Sequence, residues 1–327
     1  MGRIGVNPAK QAGQFPQYSG HRMIIPVYIP HQNDYFEHML EIVDLCFQSL
    51  RKTISDNDAV TIISNGCCQE AVDRLMQYQE QGWIDQLIIN QTNRGKIDTL
   101  LSAARGCYED FITFADCDAF FYPGWLQAVM QIFGAFPEAG WVSTQPAPDT
   151  TRLNTASTIS EALLKGVLRK RQVEATDDLN RFGESLSRPE MYRGRTDEYY
   201  LVVQRHNVAA VVGGNHFTFT IRRDVLSRIP YRPSLKFIAE EEVLGQPFDE
   251  AGYWRLSTPE LHIQHMGNTP EEWMYHDLQQ TIPDMIVPKY CIQPNQRKNL
   301  RFVPYKIRTV IPRVLKRWNL AKFLPKG

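Results

Sequence analysis

The chain has 327 residues, 43% of them hydrophobic, enough to bury a sizeable core in one large α/β domain or two smaller ones. Lys+Arg and Asp+Glu are both 36, yet the ten Lys/Arg of 297–327 have no acid among them, which leaves 26 basic against 36 acidic residues elsewhere. No window is long and apolar enough for a transmembrane span, and no DNA- or RNA-binding signature accompanies the basic tail, so a membrane-spanning protein and a nucleic-acid binder are both set aside.

The opening MGRIGVNPAKQAGQFPQYSG lacks the apolar stretch of a signal peptide and the Ser/Thr that myristoylation wants at its sixth position. Cys46, Cys67, Cys68, Cys107, Cys117 and Cys291 show no paired CxxC spacing, which argues against zinc, and adjacent Cys67 and Cys68 read as small-residue packing. A cytoplasmic protein with reduced thiols is expected. RMIIPVYIP (22–30) reads as a buried strand closed by Pro30. Phe36, Leu40, Val43, Phe47 and Leu50 then recur at helical spacing. DAVTIISNG (58–66) is a β-branched strand ended by the turn pair Asn65-Gly66. A helix over 68–81, a strand over 84–91, a helix over 96–107 and the strand DFITFADCD (110–118) follow. Strands alternating with helices of this length predict βαβ units, a mostly parallel sheet flanked by helices, and ligands beyond the carboxyl ends of its strands. After Trp141 the alternation weakens. Residues 150–201 read as polar helix and loop, and VVGGNHFTFTIRRDVLSRI (211–229) as a Gly-Gly turn, a β-rich run and a helix.

The apolar run FITFA ends in Asp116 and Asp118, one residue apart. An unpaired buried carboxylate is costly, so two at a strand end need a partner. Hard oxygen ligands suit Mg²⁺ or Mn²⁺, and such a metal neutralises a diphosphate. Asn93, Arg94, Gly95 and Lys96 open a helix, whose free N–H groups and two adjacent cations suit phosphate. Downstream, the tail 296–327 interleaves Lys/Arg with Leu315, Trp318 and Phe323. This pattern suits an interfacial helix on anionic lipid, lying mainly between Pro312 and Pro325; packing on the acidic body is the alternative.

In this order and spacing, IIPVYIP, TIISNG, NQTNRGKIDTLLSAARG and FITFADCDAFFYPGWL resemble glycosyltransferase family 2 and its GT-A-fold relatives, over roughly 23–142 and again over 213–268. The resemblance implies a GT-A-like α/β fold. Its parts would be a lead (1–20), a donor half (21–145), an acceptor and catalytic half (146–295) and the basic tail (296–327). It implies a metal-dependent, inverting transfer from a nucleotide-sugar donor to a saccharide or lipid-linked acceptor, in surface polysaccharide or glycolipid assembly, by an enzyme peripheral on the cytoplasmic face of a membrane. Asp116 would face the ribose or the metal, and Asp118 would ligate Mn²⁺ or Mg²⁺ on the diphosphate, with Arg94 or Lys96 alongside. The base would sit near Pro26, Tyr28 and Pro30 and the end of TIISNG, where Asn65 stands at a position that is acidic in many relatives.

Aligning Leu244 of AEEEVLGQPFDEAGYW with the family leucine puts the catalytic base at Glu241, with Glu240 and Glu242 as the other candidates. His265, before the turn Met266-Gly267-Asn268, matches a metal- or diphosphate-binding histidine. Gly213, Gly214, Asn215 and His216 resemble the segment that closes over the donor sugar. A retaining transferase, a sugar nucleotidyltransferase and a non-catalytic glycan- or nucleotide-sugar-binding protein remain the alternatives. Against the nucleotidyltransferase, YIPHQNDYF has no Gly-rich, basic signature after the first strand.

Overall fold

A computed structural model describes residues 5–7, 18–172, 176–192, 199–229, 233–234, 241–282, 303–317 and 323–326. Glu240, Trp318, most of the lead and residues 296–302 of the tail lie outside the described residues.

The first half alternates as its pattern predicts: β1 (His21–Val27), α1 (Met39–Thr53), β2 (Ala59–Asn65), α2 (Gln69–Glu80), β3 (Gln86–Asn90), α3 (Lys96–Ala104) and β4 (Phe111–Ala115). These strands pair in parallel in the order β3-β2-β1-β4. Successive strand residues point to opposite faces, so one strand feeds two cores. Met23, Ile25 and Val27 of β1 pack in the cluster that includes α1 and α2, while Ile24 packs in the one that includes α3. Helix α1 buries Met39, Ile42, Val43, Cys46, Phe47 and Leu50, a stripe at 3.6-residue spacing. Pro26 is tolerated inside β1 because the β1–β4 ladder ends at Ile24↔Phe114, so its missing N–H breaks no rung there.

The chain continues through β5 (Ala119–Phe121), α4 (Trp125–Ala135), β6 (Ala139–Ser143), α5 (Ala156–Leu164), β7 (Leu168–Gln172), α6 (Asp177–Ser185), β8 (Tyr199–Arg205), β9 (Val208–Val212) and β10 (Thr218–Arg222). A π-turn at Glu241–Gly245 then leads into α7 (Gln246–Glu250), β11 (Trp254–Ser257), β12 (Ile263–His265) and α8 (Glu272–Gln280). Among the described residues the main sheet has ten strands, completed in the order β4-β10-β6-β11-β9-β8-β7, and β12 pairs with β5 in a separate two-stranded sheet. Only the β6–β11 pair in this extension is parallel; the rest are antiparallel.

Two expectations are corrected. Residues 150–201 contain a strand, β7, as well as helix and loop; its sequence LRKRQ carries three basic residues at a sheet edge and so shows no apolar alternation. The tail's helices begin earlier than Pro312, at α9 (Tyr305–Arg308) and α10 (Val310–Arg317). Pro312 falls in the first turn of α10, where a missing N–H is tolerated. The tail is docked on the body. Arg308 donates to Ser157 Oγ at 2.6 Å and to the Glu250 carbonyl at 2.9 Å, and Tyr305 donates to Asp249 at 2.9 Å. Leu315 and Leu324 pack on the core of α4 and α5, and Lys170 of β7 donates its N–H to the Pro325 carbonyl. Ile307, Val310 and Val314 remain exposed on the outer side, next to Lys306 and Arg313.

Candidate active site

The antiparallel insertion of β10 between β4 and β6 builds the centre of the site. Thr218 pairs with Ala115 at the end of β4, so the preceding segment Gly213–Phe217 lies just beyond it. Asp116 donates its backbone N–H to the Phe217 carbonyl at 3.0 Å. The β12–β5 pair performs the same service for Asp118: His265 registers with Ala119, and Met266 N–H reaches the Asp118 carbonyl at 2.9 Å. Residues distant in the sequence thus converge on the end of one parallel strand.

Asp116 and Asp118 have different partners. Asp116 forms an ion pair with Lys96, the first residue of α3, and Lys96 also donates to the His216 carbonyl at 3.2 Å. Loss of water pushes the Asp116 pKa up; the Lys96 charge opposes this and the Asp118 charge adds to it. Asp118 Oδ2 lies 3.4 Å from His265 Nε2. Burial works against the His265 imidazolium, but the Asp118 hydrogen bond and the charges of Asp118 and Asp116 outweigh it and raise its pKa. Buried Asp118 Oδ1 and His265 Nδ1 find no hydrogen-bond partner among the described residues. Among those residues no three His, Cys, Asp or Glu side chains already converge as a metal centre, so Asp116, Asp118 and His265 are not brought together as a three-ligand set. The orphaned carboxylate oxygen of Asp118 nonetheless fits a cation whose other ligands are diphosphate oxygens, since Mg²⁺ sites of that kind need only one or two carboxylates.

The NRGK turn is organised from within. Asn65 is 3% exposed, and its Oδ1 accepts from Asn90 Nδ2, Arg94 N–H and Thr99 Oγ1, while its Nδ2 donates to Asn93 Oδ1 at 3.0 Å. Asn65 therefore holds the turn that carries Arg94, and its amide group is engaged by internal bonds. Asn93 Oδ1 also accepts from Gly95 N–H. A Cβ at Gly66, which has φ +87°, would collide with the Asn93 backbone, so the close approach of β2 to this turn requires glycine. Arg94 is exposed. Pro26 and Pro30 are half-buried, and Tyr28 is exposed beyond β1 and packs edge-on to Phe36.

A second cluster centres on Glu241. Arg255 of β11, 1% exposed, grips it from both ends, with Nη1 at 2.6 Å from Oε2 and Nη2 at 2.7 Å from Oε1. Asn154 Nδ2 donates to Oε2 at 2.6 Å, and His216 Nε2 lies 2.6 Å from Oε1. Burial alone would raise the Glu241 pKa, but the hydrogen bonds from His216 and Arg255 and their charges hold it down at about 2. The π-turn curls Glu241 over Gly245, where a Cβ would strike both Glu241 and Asn154. Gly214 is buried; its N–H donates to Thr150 Oγ1, its carbonyl accepts from Arg255 Nη2, and Asn215 Oδ1 accepts the Phe217 N–H. Glu242 is exposed.

Three participants were missed in the sequence. Arg255 had a readable signal, a lone guanidinium inside the apolar strand Trp254–Ser257, where a buried charge demands a partner. Asn154, at φ +54°, had none. Tyr35 lies near the two carboxylates, its carbonyl accepting from Asn268 Nδ2 at 3.0 Å. Burial and the charges of Asp118, Cys117 and Asp116 raise its phenol pKa.

The model for the family described as "Glycosyl transferase family 2" matches residues 27–189, about half of the chain. No curated protein matches the chain in sequence. Among solved structures it is similar to the mannosyltransferase PcManGT from Pyrobaculum calidifontis, in complex with GDP-Man and Mn2+, at 14% identity and TM-score 0.47, covering 82% of this chain and 65% of that one. It is also similar to S. aureus TarS 1-349, at 11% identity and TM-score 0.44, covering 80% and 63%. A third is the glucosyl-3-phosphoglycerate synthase of Mycobacterium tuberculosis, at 13% identity and TM-score 0.42, covering 87% and 88%. The chain thus spans less than two thirds of the first two, and likenesses at these scores carry no argument about substrate.

Proposed function

We propose that this chain, a member of glycosyl transferase family 2 through residues 27–189, moves a sugar from a nucleotide-sugar donor to a saccharide or lipid-linked hydroxyl by an inverting, metal-dependent step. The observation that carries this reading is the run of contacts beyond the end of β4: Lys96 pairs with Asp116 and donates to the His216 carbonyl, His216 meets Glu241, and Asp118 keeps an orphaned carboxylate oxygen.

In this reading the donor half is 21–145 and the acceptor half 146–295. Tyr28, Pro26 and Pro30 border the base, Asp116 the ribose, and Arg94 and Lys96 the diphosphate. Asp118 and His265 would hold Mn²⁺ or Mg²⁺, with Asp116 beside them. A bound divalent cation there supplies charge stabilisation for the departing diphosphate. Lys96 adds a second positive charge on the same side once it turns from Asp116. Asn93 and Asn65 keep the turn that carries Arg94 and Lys96. Asn215, His216 and Gly214 shape the floor beneath the donor sugar. Glu241 takes the proton of the acceptor hydroxyl as its oxygen attacks the anomeric carbon. Being ionised across the working pH range, it is always in the accepting form, and Arg255 keeps it in place.

No described helix is long and apolar enough to cross a membrane. The exposed Ile307, Val310 and Val314, flanked by Lys306 and Arg313, support contact of the docked tail with an anionic membrane surface. A ligand that binds only the folded state raises the melting temperature. The deciding test is therefore thermal stabilisation by a panel of nucleoside diphosphates and sugar nucleotides with and without Mn²⁺. A metal-dependent shift with one nucleotide names the donor base; no shift with any of them sinks the donor-site reading.

A further inference from the structure

The hydrogen bonds around Glu241 leave it no vacancy. An ionised carboxylate has about four lone-pair positions, and all four are taken: Arg255 Nη1 and Asn154 Nδ2 on Oε2, Arg255 Nη2 and His216 Nε2 on Oε1. Because a carboxylate only accepts, the His216 proton sits on Nε2. Yet the Glu241 and His216 side chains are 27% and 24% exposed, so burial does not keep water from them. What excludes water is saturation. An acceptor hydroxyl can reach Glu241 only by taking the place of one donor.

The four donors differ in how readily they leave. Arg255 is 1% exposed, and its guanidinium is held further by the carbonyls of Leu153 and Gly214 and by the Trp141 ring, 4.4 Å below it. His216 has a single polar side-chain bond, the one to Glu241, since its buried Nδ1 has no partner among the described residues. Its ring otherwise rests edge-on against Trp141 and Phe219. Asn154 Nδ2 donates to the Glu241 carbonyl at 3.4 Å as well as to Oε2, so His216 is the donor with the least polar bonding to lose.

We propose that His216 is a specificity-determining guard that denies Glu241 to water until an acceptor displaces it, and that Arg255 is the positioning residue that keeps the carboxylate in place during the exchange. This inference rests on Glu241 being the base. The reaction suppressed is donor hydrolysis. In it a water O–H bond breaks as its oxygen bonds the anomeric carbon, the proton passes to Glu241, and the sugar–diphosphate bond breaks with its electron pair leaving on the nucleoside diphosphate. A group-transfer enzyme needs such a block, because water is far more abundant than any acceptor.

The test needs no acceptor. Nucleoside diphosphate release from UDP-glucose, UDP-N-acetylglucosamine and GDP-mannose with Mn²⁺ is measured for the full chain and for His216→Phe, His216→Gln and His216→Phe/Glu241→Gln. Phe keeps the ring packing and removes the donor; Gln restores an N–H. Release should rise about ten-fold in His216→Phe, part of the roughly 10²–10⁴-fold that a general base can supply, stay low in His216→Gln, and vanish in the double variant. Unchanged release in His216→Phe, with nucleotide-dependent stabilisation retained, overturns the guard and leaves the Glu241 reading standing. An increase that survives Glu241→Gln removes Glu241 as the base and the guard with it. Loss of nucleotide-dependent stabilisation in the unaltered chain is instead a failure of the donor-site reading on which both rest.

Discussion

Arg255 and Glu241, 14 residues apart, share a two-point ion pair of 2.6 and 2.7 Å in which the arginine is 1% exposed and the glutamate 27%. The buried member cannot move and the half-buried member faces the cleft, so the pair works as a mount with one working end. Breaking it from either side strands a charge. Glu241→Ala should therefore cost about 3–5 kcal/mol of stability, whereas Glu241→Gln, whose one amide oxygen still accepts from two of the four donors, should cost less. Chemical denaturation of the two variants reads the difference.

Activity should separate from stability at the same residue. Glu241→Gln should lower transfer by roughly 10²–10⁴-fold while nucleotide-dependent stabilisation stays intact. Turnover unchanged in that variant would move the base to Glu240 or Glu242.

The depressed pKa of Glu241 has a pH signature. The carboxylate goes from about 4.5 in the unfolded chain to about 2 in the folded one, so the folded state binds fewer protons between those values. Its stabilisation, of roughly 3 kcal/mol at most, is fully present above about pH 4.5 and is lost as pH falls toward 2. Melting curves of the native chain and Glu241→Gln should converge in that acid window and run parallel at neutral pH. Curves that keep a constant separation from pH 7 to pH 3 would show that Glu241 is not held as the geometry describes.

Asp118→Asn should lower Mn²⁺-dependent transfer by about 10²-fold or more with only a small loss of stability, because Asp118 Oδ1 has no protein partner among the described residues and Oδ2 has only the 3.4 Å contact with His265 to lose. Full activity in Asp118→Asn would exclude this residue as a ligand. Direct Mn²⁺ binding followed by magnetic resonance gives a readout independent of turnover.

On the tail, the outer and inner faces should behave differently. Ile307→Ser, Val310→Ser and Val314→Ser together alter only exposed positions and should release the chain from vesicles of anionic phospholipid while leaving its unfolding free energy within about 1 kcal/mol of native. Leu315→Ala, on the face packed against the core, should lower stability instead. Vesicle flotation that is insensitive to the triple change would remove the membrane from the reading.

The sequence alone determined the βαβ half, because β1, β2 and β4 are buried on both sides and α1 carries an unbroken apolar stripe; such patterns are local and survive without knowledge of partners. The acid pair at the end of β4 and the Asn93–Lys96 turn were legible for the same reason: each is a short run whose residue types demand charge partners. Tertiary structure decided the rest. Only the insertion of antiparallel β10 beside β4 brings His216 to Lys96, and only the β6–β11 pairing sets Arg255 under Glu241. Asn65 shows the limit from the other side, since its position beside the site was readable but its inward-facing amide was not. Edge strand β7 and the docking of Arg308 on Ser157 and Glu250 were hidden likewise. Periodicity reports which face of an element is buried, but not which distant residue waits there to accept a hydrogen bond.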